Sequence, residues 1–146
     1  MPTHFQIRGT FDPEQLQQAV GLSSYSTARK GEPRQGTPQV YEWDTCKFDV
    51  SDADFEHFEE QLADIEAFLT QHYTGLQQIE QFDVVDAWVD VGYNSSFEGT
   101  NYVTDFRFLS SNLLRLLGNL GISLELSAYW FDRFAEEDEE DNTGPA

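Results

Sequence analysis

The sequence predicts an α+β fold: a single domain with a mostly antiparallel sheet of about five strands and three helices packed mainly on one face, in the order β-α-β-α-β-β-α-β. Three observations carry this. Short segments alternate apolar and polar residues with the period of two that marks a strand wet on one side. Between them lie segments with apolar residues at three- and four-residue steps, the period of a helix. The chain has 146 residues, 39% of them hydrophobic and 14% aromatic, which fits one domain with ample material for a core.

The elements follow in order. Phe5, Ile7 and Phe11 alternate with Gln6, Arg8 and Thr10 as a first strand. Asp12 then caps a helix, Pro13 takes its first position and Gln15 can complete a capping box. Leu16, Ala19 and Val20 form its apolar stripe and Gly21 ends it. Residues 23–39, rich in Ser, Thr, Gly and Pro, read as a long loop. A second strand is expected from Val40 to Val50, with Tyr41 and Trp43 on one face.

Ser51, with Asp54 three residues on, reads as the start of a long helix whose stripe is Phe55, Phe58, Leu62, Ile65, Leu69, Leu76 and Ile79. An unbroken helix over 51–80 would run about 45 Å at about 1.5 Å per residue. That is too long for this domain, so a break is expected near Tyr73-Thr74-Gly75. Val85, Ala87, Val89 and Val91 alternate with Asp86, Trp88 and Asp90 as a strand, and Tyr102–Phe108 is expected to return as its hairpin partner. Ser110 or Ser111 caps a helix carrying Leu113, Leu114, Leu116, Leu117 and Leu120, closed by Gly121. Ile122, Leu124, Leu126, Ala128 and Trp130 then alternate with Ser123, Glu125, Ser127 and Tyr129 as a last strand. The domain is expected to span 1–134. Residues 135–146, with the acidic run Glu136–Asp141 and no apolar periodicity, are expected to be a disordered tail.

Charge narrows the partners. The chain carries 27 Asp plus Glu against 8 Lys plus Arg, a formal net charge of -19. Such a surface repels nucleic acid and anionic membrane and attracts basic proteins. Within it, Arg29, Lys30 and Arg34 make a local positive island in the 23–39 loop. The single cysteine, Cys46, suits a reducing compartment. No secretion leader or membrane-spanning run is evident, so a cytoplasmic location is expected.

Catalytic chemistry has no signature here. His4, His57 and His72 are scattered, and none stands at metal-ligand spacing from Cys46. Neither a nucleophile elbow nor a phosphate-binding loop is present. Cys46, on an amphipathic strand, reads as a small buried hydrophobe. No cofactor, metal or catalytic residue is therefore assigned.

Carboxylates are the one abundant chemistry. Asp86 and Asp90 share a strand face with Trp88 between them, and Glu125 and Tyr129 occupy the polar face of the last strand. Neighbouring strands would place Asp86, Trp88, Asp90, Glu125 and Tyr129 on one surface. Aromatics there supply contact area and acids supply steering for a cationic protein. Paired carboxylates could instead serve an enzyme or bind a small ligand or cation, with Arg29, Lys30 and Arg34 as a secondary candidate site. The plainer alternative buries Trp88 beneath the long helix or the 95–101 connection and leaves the acids merely to solubilise.

Several motifs fall in a familiar order: Phe11-Asp12-Pro13-Glu14, Gly21-Leu22, Arg29-Lys30-Gly31-Glu32-Pro33, Tyr41-Glu42-Trp43, and a closing Leu-Leu-x-x-Leu-Gly-Ile-x-Leu-x-Leu pattern from Leu116 to Leu126. In this order they resemble a bacterial family known as domain of unknown function 4279, over about residues 4–131. The resemblance implies a small bacterial α+β domain and brings no activity or catalytic residues. The leading expectation is a non-catalytic, acidic protein-binding module, of the kind an inhibitor or immunity protein provides against a cationic partner. An enzyme or small-ligand binder using sheet-face carboxylates is the alternative.

Overall fold

Alternate residues of the first strand are hidden, and they set the orientation of everything else. The computed structural model describes residues 2–95 and 106–129. In β1 (Thr3–Thr10), Thr3, Phe5, Ile7 and Gly9 are buried, while His4, Gln6 and Arg8 face the other way. The chain continues through α1 (Pro13–Val20), β2 (Ser26–Ala28), β3 (Asp44–Ser51), α2 (Phe58–Gln71), α3 (Tyr73–Leu76), a 3₁₀ helix (Gln77–Gln81), β4 (Asp83–Asn94), α4 (Ser111–Leu120) and β5 (Ser123–Tyr129). The strands form one sheet in the order β2-β3-β1-β4-β5. All neighbouring pairs are antiparallel except β4 and β5, which run parallel because α4 lies between them in the chain.

The fold is the predicted α+β class with the predicted number of strands, but the helical part is cut more finely. The break falls at His72, where α2 ends and the short α3 begins. Gly75 is required just after it. A Cβ at that position would lie 2.1 Å from the Val20 carbonyl oxygen, so only glycine lets α3 pass the end of α1.

The start of α2 differs from the expectation. Ser51 closes β3 instead of opening a helix, and α2 begins at Phe58. The Ser51 hydroxyl accepts from the Ala53 N–H and donates to Asp64 at 2.5 Å, so it shapes the turn out of the strand. β3 starts at Asp44, later than expected, and the three-residue β2 lies inside the segment read as loop. The expected strand over 102–108 falls largely outside the described residues, and its described end, 106–108, is not strand. Residues 130–146, and with them the acidic run, also lie outside the described set.

The core forms between the helices and one sheet face. Phe5 and Ile7 of β1, Cys46 and Phe48 of β3, and Ala87, Val89 and Val91 of β4 pack against Leu62, Ile65 and Leu69 of α2, with α1 supplying Leu16 and Val20 and α4 supplying Leu113, Leu117 and Leu120. Removing this apolar surface from water is the main stabilising term. One buried amide completes it. Gln61 donates through Nε2 to the carbonyls of Asp54 (2.8 Å) and Gly92 (3.0 Å), and its Oε1 accepts from the Thr3 hydroxyl at 2.6 Å. It thereby ties α2 to β1, to β4 and to the turn before α2. A bulge in β4 sets the register at the other end: Arg8 faces Asp86 but Gly9 faces Val84, so Val85 is the extra residue and stays 51% exposed.

Candidate functional site

The sheet face opposite the described helices is where Asp86, Trp88, Asp90 and Glu125 of the predicted site come together. Pairing places side chains in rows across it. In one row Asp49, His4, Asp90 and Glu125 stand on β3, β1, β4 and β5. In the next, Ser26, Lys47, Gln6, Trp88 and Ser123 cross all five strands. In the third, Thr45, Arg8 and Asp86 are neighbours. The face is therefore acidic along the row of Asp49, Asp90 and Glu125 and cationic at Lys47 and Arg8, with Trp88 between.

The 95–101 connection lies largely outside the described residues; among those described, Trp88 lies on this face and under no helix. Arg8 holds it: the guanidinium carbon stands 5.4 Å from the ring centroid, and the same guanidinium pairs with Asp86 at 2.6 Å. A cation over an indole is attracted by the ring's quadrupole, and the carboxylate fixes the cation there. Arg8 and Asp86 keep 44% and 45% of their side-chain surface, so the pair positions the ring more than it stabilises the fold.

Of the acids predicted for this surface, Asp86 is engaged by Arg8, and Asp90 accepts from the Ser127 hydroxyl at 2.7 Å. Glu125 is exposed beside Asp90. Tyr129 shares the face but sits at its far end, opposite Asn94, about 20 Å from Trp88 at roughly 3.3 Å per residue. There its ring meets Phe55 edge-on at 5.3 Å, above Gly92, where a Cβ would come within 3.0 Å of both rings.

The positive island divides. Arg29 turns to the start of α1, reaching Asp12 at 3.3 Å and Glu14 at 3.7 Å. The Lys30 N–H donates to Asp44, whose other oxygen accepts from the Phe11 N–H. Only Arg34 reaches the open face, its guanidinium 5.4 Å from the Tyr41 ring centroid. It does so because residues 33–43 fold back over the β2–β3–β1 half of the sheet, held by the Pro33–Val40 bridge.

That fold-back roofs a cleft of about 730 Å³ lined by Gln6, Arg8, Lys47 and Trp88 from the sheet and by Arg34, Tyr41, Glu42 and Trp43 from the loop. A shallower groove of about 400 Å³ lies on the other side of Trp88, between Asp86, Ser123 and Glu125. Arg8, Lys47, Tyr41 and Trp43 were not assigned to a site from sequence. The signal that could have found the first two was their position on the polar alternation of two strands.

Three titratable groups have clear perturbations. Burial, then the nearby Asp44 carboxylate, pushes the Cys46 thiol up to about 12, so it stays protonated as a core group. Burial holds His4 below its ordinary value against the pull of Asp49 and Asp90, and its Nδ1 lies 3.0 Å from the Tyr25 hydroxyl. Burial, with Asp49 adding to it, raises Tyr25. Among the described residues no group of three or more His, Cys, Asp and Glu is placed to hold a metal ion. No helix among them is long and apolar enough to cross a membrane.

A five-stranded sheet with helices on one side and a cleft-bearing polar face on the other defines an α+β domain whose exposed chemistry is concentrated on that polar face. The chain belongs to the family described as domain of unknown function (DUF4279), whose model matches residues 2–131. No curated protein and no solved structure matches it at a significant level.

Proposed function

We propose that this chain is a non-catalytic protein-binding module of the bacterial cytoplasm that docks a cationic protein on the acidic part of its open sheet face, as an inhibitor or immunity-type protein does. The observation that carries the reading is Trp88, presented under Arg8 on the sheet face opposite the described helices, beside a groove bounded by Asp86 and Glu125. A pre-positioned aromatic supplies contact area at little entropic cost, and surrounding carboxylates steer a basic partner. The net charge of -19 extends that attraction beyond the face itself. A partner of this kind would carry a basic patch with an apolar recess for the indole.

The test starts with capture from the native cell at low and high salt. Binding kinetics of the captured protein are then compared between the parent, Trp88→Ala, and the double change Asp90→Lys with Glu125→Lys. The charge reversal is expected to slow association and flatten its salt dependence, and the truncation to speed dissociation. Variants that fold and bind as the parent does would remove this face from the reading.

A further inference from the structure

We infer that the cleft roofed by residues 33–43 is a separate binding site for a small organic anion with a flat body, an aromatic carboxylate or phosphate ester. The starting point is an imbalance of charge. The chain carries 27 acidic residues, and its described cations differ in whether a carboxylate stands within 4 Å of them. Arg8 and Arg29 have such partners. Lys47 and Arg34, like Lys30 and Arg115, have none within 4 Å among the described residues, and of these four Lys47 and Arg34 line this cleft. One carboxylate, Glu42, is in its wall. The cleft is thus a local reversal of the protein's field, set on the side of Trp88 away from Asp90 and Glu125.

The walls suit the rest of such a ligand. Tyr41, Trp43 and Trp88 all line the cleft, so a planar group entering it meets aromatic surface. The Arg34 guanidinium lies over the Tyr41 ring at 5.4 Å from its centroid, a cation–π contact that leaves its donors available to an oxyanion. The volume of about 730 Å³ lies within the usual range for small-molecule sites. A nucleic-acid strand is a poorer fit, because the acidic row of Asp49, Asp90 and Glu125 crosses the same face and would repel its next phosphates.

Isothermal titration calorimetry on the full chain tests this with four probes of one shape: 1-naphthoate, 1-naphthyl phosphate, 1-naphthol and 1-naphthylmethylamine. At least one anion is expected to bind ten times or more tightly than the neutral and cationic probes, and to weaken as salt rises. The stronger of the two anions identifies carboxylate or phosphate as the recognised group. Lys47→Met and Arg34→Met are each expected to weaken that anion about tenfold, while Lys30→Met leaves it unchanged. Circular dichroism confirms that each variant is folded. The site is overturned if naphthol binds as well as the anions, if no anion binds at millimolar concentration, or if both cleft variants bind like the parent. Because neither Lys47 nor Arg34 belongs to the acidic part of the face, these outcomes are independent of protein docking at Asp90 and Glu125.

Discussion

The guanidinium of Arg8 lies 5.4 Å from the centre of the Trp88 ring. Gln6, directly opposite Trp88 on β1, is one row away from Arg8, so the arginine reaches diagonally along its own strand to cover the indole. Asp86, two residues before Trp88 on β4, holds the arginine there at 2.6 Å. The ring is thereby fixed on the sheet face opposite the described helices. Arg8→Met should leave the fold intact and cost no more than about 1 kcal/mol, the usual worth of an exposed ion pair. It should also reduce the near-ultraviolet circular dichroism of the tryptophans, because Trp88 gains freedom. An unchanged tryptophan spectrum would show that strand packing alone orients the ring.

Gly75→Ala should be among the most damaging single-methyl additions in the chain. The new methyl group would meet the Val20 carbonyl oxygen at 2.1 Å, and that oxygen belongs to backbone and cannot swing aside. A loss of about 1–3 kcal/mol, the range for overpacked sites, is expected in urea unfolding. Gly118→Ala, where nothing lies within 4 Å of the new atom, is the control and should be neutral or better.

Gln61→Leu keeps the volume and removes the amide. It strands the Thr3 hydroxyl and the Gly92 carbonyl, both in buried hydrogen bonds to this side chain. At about 1–3 kcal/mol for each buried polar group left unsatisfied, the variant should lose at least about 2 kcal/mol despite its better hydrophobicity. Pairing it with Thr3→Val should recover part of that loss, and strict additivity in the double-mutant cycle would mean that the two side chains are not coupled.

Cys46 should resist alkylation in the native state at pH 8 and react readily in denaturant. Its thiol is buried and its pKa is pushed up to about 12. The folded state keeps the proton while the unfolded thiol, near 9, gives it up. The unfolded state therefore binds fewer protons above pH 9, and this group's contribution to stability falls progressively from there to about pH 12. The parent should lose stability faster than Cys46→Ala across that window. Rapid native-state labelling would mean that β3 opens locally.

Periodicity made the core and the bounds of α1, α4 and β5 legible, while β2 and the starts of β3 and α2 were missed. The alternation in β1 and β4 named their faces except at Val85, which the β4 bulge leaves 51% exposed, and the stripe of α2 identified Leu62, Ile65 and Leu69 as buried. Capping chemistry found the start of α1, where Asp12 accepts from the Glu14 N–H, and of α4, where Ser110 accepts from the Leu113 N–H. The same logic failed at Ser51, whose hydroxyl is used by a turn with similar local bonds. The cleft was not legible. Arg34, Tyr41 and Trp43 acquire their roles only because the loop doubles back on the sheet, a long-range event that composition alone does not encode. Lys47 and Gln6 meet Trp88 through strand order, which local patterns leave open.

That strand order also has a temporal side. β1 is made first yet lies at the centre of the sheet, with Thr3 opposite both Ser51 and Val91. On the ribosome, one edge of β1 must wait for β4, an interval of roughly 4–18 s at about 5–20 residues per second. Until then a strand bearing Phe5 and Ile7 has an open hydrogen-bonding edge, the geometry that invites pairing with another chain. The half-made protein is thus most vulnerable at the strand that becomes its best-protected one, and a slow stretch of translation after β4 would favour the native pairing.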